Sequence, residues 1–416
     1  MCESSRARSR EPEAEALGHT NPHYMTPLNG LTVLDLTRVL SGPYCTMMLA
    51  DMGARVIKIE QPGKGDDTRA WGPPFVEGES AYFLSINRNK ESVTLDFKHA
   101  AGRELLHSLL AKADVLVENF RPGTLPKLGL DYASLAPKYP RLVYCSISGF
   151  GHSGPRQKEA GYDAVMQGEG GLMSITGSAG GPPFRLGVAI ADIVSGMFAA
   201  QGVTAALLAR ERTGRGQAVD IAMLDSVVAL LSYQAGIYFA TDKAPGRLGN
   251  RHPTIVPYET FRAADGDFVL AVGNDDQWRR FCDVAKFEQE ERFGTNRQRV
   301  VNYAELKPLL DQCLEAEPRS YWIERLTAAG VPCGSVRDLH EVFSDPQVQA
   351  REMIAQLEHA KAGLLRLVGT PLKFSETPGK IRTPPPILGE HTELVLTRDL
   401  GLTAAQVSTL RSQGVV

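Results

Sequence analysis

The chain has 416 residues, 43% hydrophobic and 22% charged, with a formal net charge of −3. That length suits two domains or one large interrupted domain with a buried core, and the near balance of charge leaves no bulk electrostatic case for nucleic acid or an anionic membrane. Six widely spaced cysteines without a C-x-x-C pair argue against a zinc knuckle or a disulfide framework, and no uninterrupted apolar run nears the roughly 20 residues of a membrane span.

Residues 1–28 mix Arg6, Arg8 and Arg10 with Glu3, Glu11, Glu13 and Glu15 and have no apolar core, so they read as a flexible tail rather than a secretory signal. Reduced thiols and this tail fit a cytoplasmic protein, with the mitochondrial matrix as the alternative. Leu31–Leu36 has a strand pattern, Ser41-Gly42-Pro43 opens a helix that ends near Gly53, and Arg55–Ile59 is a second strand. This is a βαβ unit, which requires parallel strands. A helix over 100–113, strands over 115–117 and 142–147, a long apolar helix from Asp192 to about Arg212, a strand over 218–222 and a helix from Leu224 to about Phe239 extend the alternation. The pattern predicts an open, mostly parallel α/β sheet across residues 29–240.

A Gly/Pro-containing stretch over 241–257 reads as a linker. A smaller α/β domain follows over 258–345, with a strand at 267–272, helices near 276–286, 303–315 and 319–329, and an extended piece from Val331. Residues 346–416 read as a linker and a return to the large domain, with Pro384-Pro385-Pro386 extended before a short helix near 391–399.

The first βα turn, Thr37 to Pro43, lacks G-x-G-x-x-G spacing, which disfavours a dinucleotide cofactor and leaves Glu60 a poor ribose-binding acid. It does place Arg38 and free N–H groups beside a helix N-terminus, a combination that suits phosphate. Asp192 is a lone carboxylate among apolar and small residues at a helix start. It reads either as an N-cap or as a nucleophile, which Ser195 and Gly196 would let a ligand or another backbone approach. The Gly168-Glu169-Gly170-Gly171 loop offers N–H groups for an oxyanion. Neither metal-ligand spacing nor a G-x-S-x-G elbow occurs, so no metal site and no serine hydrolase are expected.

Seven stretches in order, 34–43, 53–60, 65–69, 87–90, 117–123, 213–217 and 388–392, resemble the class III coenzyme A transferases. The resemblance places Asp192 on the family's catalytic aspartate. It implies coenzyme A contacts by Leu40, Ser41, Gln61, Leu95 to Lys98, Asn119, Phe120, Arg121, Lys127 and Tyr162, with Arg38 and Lys98 compensating where Gln61 replaces an arginine. It also implies a large Rossmann-like domain made from both chain ends, a small domain between, and an interlocked homodimer. Coenzyme A and acyl-CoA enter as substrates, with free carboxylic acids as partners and no permanently bound cofactor. The racemase branch has Gly-His-Asp where this chain reads Gly161-Tyr162-Asp163, so its base is missing. The stretch 249–261 resembles members that handle dicarboxylates such as succinate and glutarate, which makes Arg251 and His252 candidate partners of a distal carboxylate.

Overall fold

The computed structural model describes residues 25–416, so most of the expected tail lies outside the described residues. Six parallel strands form the main sheet: β1 (Thr32–Asp35), β2 (Arg55–Glu60), β3 (Lys90–Thr94), β4 (Val115–Glu118), β5 (Val143–Ser148) and β6 (Ala218–Ala222). Their order is β3-β2-β1-β4-β5-β6, the doubly wound arrangement in which the direction of strand addition reverses between β1 and β4.

Side-chain alternation explains the two layers. Val33, Val56, Val115 and Val117 point to one face, where α1 (Ser41–Asp51), α2 (Ala100–Leu110) being elsewhere, packs with the long helix of residues 190–213 through Cys45, Leu49, Ala199 and Val203. Leu34, Ile57, Leu116 and Tyr144 point to the other face, covered by α2 and by residues from the end of the chain, Val395, Leu396, Val407 and Val415. Both faces are therefore buried, as parallel strands require.

Further along, α3 (Asp163–Glu169) precedes α4 (Ile190–Thr213). α4 is long enough, and on average apolar enough, to match a membrane span, although Asp192, Ser195 and Gln201 interrupt its apolar run. Half of that apolar window is buried, against α1 and the sheet, which makes it a core helix. The helix expected over 224–239 is two helices, α5 (Met223–Leu230) and α6 (Ser232–Thr241), bent by 73°. Ser232 takes φ +43°, a left-handed value that no helix continues through; the apolar periodicity carries across the break and hides it.

Residues 256–331 gather around their own core of Phe261, Phe268, Trp278, Phe281, Leu310 and Trp322. Three antiparallel strands, β7 (Tyr258–Ala263), β8 (Gly266–Ala271) and β9 (Cys333–Ser335), carry α7 (Asp275–Ala285), α8 (Tyr303–Leu314) and α9 (Arg319–Ala328). A hairpin, β10 (Ile354–His359) and β11 (Gly363–Val368), stands where a linker was expected, and α10 (Thr392–Leu400) and α11 (Ala404–Ser412) finish the chain.

Candidate active site

The reversal between β1 and β4 opens a crevice beyond their carboxyl ends, because the loops after these two strands diverge to opposite faces of the sheet. A cleft of about 330 Å³ lies there. Arg38 and Val39 line it from the first loop and Ser41 from the start of α1, Asn119, Phe120 and Arg121 from the loop after β4, Tyr162 from just before α3, and Asp192 from the first turn of α4. Residues 154 positions apart in sequence, Arg38 and Asp192, thus share one cleft because the topology folds both loops onto the same sheet edge.

Asp192 is the third residue of α4, whose N-cap position is Ala189 with no side-chain cap. The N-cap reading of Asp192 is therefore corrected: the carboxylate of Asp163 accepts the Ala191 N–H at 2.8 Å and does that work from outside the helix. Asp192 instead faces the start of α1. Burial pushes its carboxyl up to about 6, the nearby Asp163 carboxylate pushes the same way, and the hydroxyl and N–H of Ser41 pull it back. The approach of the two helices needs a glycine. A Cβ on Gly196 would meet the Ser41 carbonyl oxygen at 2.6 Å, so α1 and α4 close up with the Ser41 N–H turned towards Asp192. Tyr82, half-buried, belongs to the same neighbourhood: burial and then Asp192 and Asp163 push its phenol up to about 12. Asp163 and Tyr82 were missed by sequence reasoning; Asp163 stood in plain view beside Tyr162 as the retained acid of a Gly-x-Asp stretch.

The expected coenzyme contacts divide. Arg38 lies 5.0 Å over the Phe120 ring and 3.5 Å from Asp67, and Arg121 reaches the Lys158 carbonyl at 3.2 Å, so both cations border the cleft. Phe97 meets Phe120 edge to face at 6.0 Å, which brings residues 95–98 beside the second loop. Lys98, Lys127 and Gln61 are exposed, and Tyr162 is 69% exposed. Leu40 and Leu95 are buried in apolar clusters, so only their backbone can face a ligand. The Asn119 amide is engaged on both sides by the Arg38 backbone, accepting its N–H at 2.9 Å and donating to its carbonyl at 2.7 Å. Glu60 accepts Arg69 at 2.8 and 2.7 Å and the Ser92 hydroxyl at 2.7 Å, which uses it internally.

One expectation fails on geometry, and another finds no support within a single chain. Gly168 is helical, and the N–H groups of Gly170 and Gly171 donate to Met166 and Gly168 carbonyls at 2.8 and 3.2 Å, so the stretch 168–171 closes the end of α3 rather than offering an oxyanion site. Arg251 and His252 do not line the cleft of their own chain. Arg251 stacks over Tyr303 at 4.0 Å and His252 stacks on Tyr233 at 5.3 Å.

The family model for CoA-transferase family III matches residues 28–392. The chain is 41% identical over 393 residues to succinyl-CoA:glutarate CoA-transferase of Homo sapiens, covering 94% of this chain and 90% of that one. It is 45% identical over 385 residues to succinate–glutarate CoA-transferase of Agrobacterium fabrum, covering 90% and 96%; other relatives are named for oxalate and mesaconate. A crystal structure of a CAIB/BAIF family protein from Brucella suis superposes with TM-score 0.81 at 43% identity, covering 90% of this chain and 100% of that one. With a carboxylate and two arginines converging on a switch-point cleft, the chain belongs to CoA-transferase family III and is an enzyme that transfers coenzyme A.

Proposed function

We propose that this enzyme moves coenzyme A between dicarboxylic acids through covalent adducts on Asp192. The observation that carries the proposal is the Asp192 carboxylate inside the cleft that Arg38 and Arg121 also line. A carboxyl that titrates near 6 is ionised at neutral pH and more basic than an ordinary aspartate, which favours attack. The carboxylate adds to the thioester carbonyl, the C–S bond breaks, and the coenzyme thiolate leaves a mixed anhydride. The thiolate then attacks the Asp192 carbonyl and releases the first acid as its carboxylate. The incoming carboxylate attacks the resulting aspartyl-CoA thioester and forms a second anhydride. Thiolate attack on its acyl carbon releases the new acyl-CoA and restores Asp192. No water, oxidant or net proton is consumed.

The names of relatives support succinate and glutarate as the acids. The geometry lends no support to Arg251 or His252 as their partner within one chain. A dimer fits the exposed apolar side chains of Met197, Leu208, Tyr233 and Phe239 on α4 and α6. The racemase reading finds no histidine among the described residues that line the cleft. The test is borohydride reduction after mixing with succinyl-CoA, with glutarate, oxalate, mesaconate and butyrate as acceptors. Reductive conversion of Asp192 is expected, with turnover fastest for the longer diacids. An unmodified Asp192 with full transfer activity would overturn the mechanism, and butyrate equal to glutarate would overturn the substrate class.

A further inference from the structure

Val39 is the one β-branched residue with positive φ in the described chain, at +69°, and it lines the cleft. A valine gains nothing from that conformation, so the surroundings must impose it. Three consecutive residues of the first loop are held by side chains from three separate segments. The Thr37 carbonyl accepts Lys58 Nζ at 2.9 Å. The Arg38 backbone is bracketed by the Asn119 amide. The Val39 N–H donates to Asp66 Oδ1 at 3.2 Å, while Asp66 Oδ2 accepts Lys58 Nζ at 2.9 Å. The side chains of Lys58 and Asp66 are wholly buried, and Asp66 Oδ1 also takes the Thr68 N–H and hydroxyl at 3.0 and 2.8 Å. Two residues beyond Val39, α1 begins with Ser41, the residue that faces Asp192.

We propose that the buried Lys58–Asp66 pair is a positioning device for the transfer reaction: it holds Val39 in the left-handed turn that aims the Ser41 N–H and hydroxyl at Asp192. The inference rests on the nucleophile reading of Asp192 and adds residues that touch neither substrate nor coenzyme. Without the hold, Val39 relaxes to an ordinary backbone region, α1 starts from a different angle, and only a minor fraction of molecules keeps the productive turn. A glycine at position 39 adopts positive φ without steric cost and so has less need of the hold.

The experiment compares Asp66→Asn with Asp66→Asn/Val39→Gly, reading kcat per coenzyme-binding site and KM for succinyl-CoA. Because a lone buried lysine can unfold the chain, Lys58→Met/Asp66→Leu, which removes both charges together, is measured with and without Val39→Gly as well. Expected is a fall in kcat of about tenfold, the scale of one strained left-handed residue, with KM changed less than about threefold and most of the lost kcat restored by Val39→Gly. A merely structural pair would lower the number of binding sites, leave kcat per site unchanged and gain nothing from glycine. That result, or an unrescued loss in every folded background, overturns the proposal. Asp192→Ala measured alongside separates the two readings, since activity without that carboxylate overturns the nucleophile whatever the Asp66 variants do.

Discussion

Replacing Asp192, the proposed nucleophile, should make the protein dead and more stable. In Asp192→Asn the shape is kept while the charge that burial and Asp163 oppose is removed. The folded carboxyl titrates at about 6 and the unfolded one near 3.8, so between these values the native state binds more protons than the unfolded state and stability falls as pH rises. Below about pH 4 both forms are protonated and no penalty exists; above about pH 6 the penalty is complete. At 1.36 kcal/mol per pH unit the ceiling is about 3 kcal/mol, and the asparagine recovers part of it, because it keeps an acceptor for Ser41 but forfeits the charge. For a chain of this size about 1–2 kcal/mol raises Tm by about 1–2 °C. Differential scanning calorimetry of the ligand-free enzyme at pH 8 and pH 4 tests this, with transfer activity measured in parallel. A gain at pH 8 that vanishes at pH 4 is expected. A loss of stability at pH 8, or the same gain at both, would refute the buried, like-charged placement of Asp192.

Asp163→Asn should move the acid limb of the kcat profile downward, because one of the two causes that raise Asp192 is gone while burial, Ser41 and the Tyr82 phenol still face it; an unmoved limb would show that Asp163 is too well screened to matter. Gly196→Ala should cost both stability and rate, since the added carbon meets the Ser41 carbonyl at 2.6 Å; wild-type rate would mean that α1 shifts without disturbing Asp192. Arg121→Ala and Lys127→Ala should raise KM for every acyl-CoA by a similar factor with smaller effects on kcat; discrimination between two acyl groups would place either residue at the acyl end instead.

Much of the sheet was legible because most of its strands are buried on both faces and read as short apolar runs. β6 was read with the bounds it has, and β1, β2, β4 and β5 to within a residue or two at each end. β3 escaped because Lys90-Glu91-Ser92 looks like a surface turn; in the fold Lys90 is buried against Asp35 at 3.1 Å, and a buried ion pair has no apolar signature. α11 carried a signal that went unused, the capping box of Thr403 and Gln406. At the site, Asp192 stood out as a lone carboxylate among small and apolar residues at a helix start, while the two cleft arginines lie in the matching stretches 34–43 and 117–123. The partnership of Asp163 with α4 depends on where α3 docks, and no local pattern encodes docking. The small residues around Asp192 were read correctly as room for close approach, yet only the fold reveals that the approaching backbone at Gly196 is α1.

The second face of the main sheet has a consequence for how the chain reaches this state. Thr94 pairs with Thr392 across 298 residues, and Val395, Val407 and Val415 seal the side chains of β1 to β3. During synthesis the part of that side not covered by α2 stays bare until the final helices have left the ribosome, whereas residues 256–331 can collapse around their own tryptophans in the interval. Contacts so distant in sequence make the closing step slow, and the waiting apolar face is the part of the nascent chain that a chaperone would have to cover.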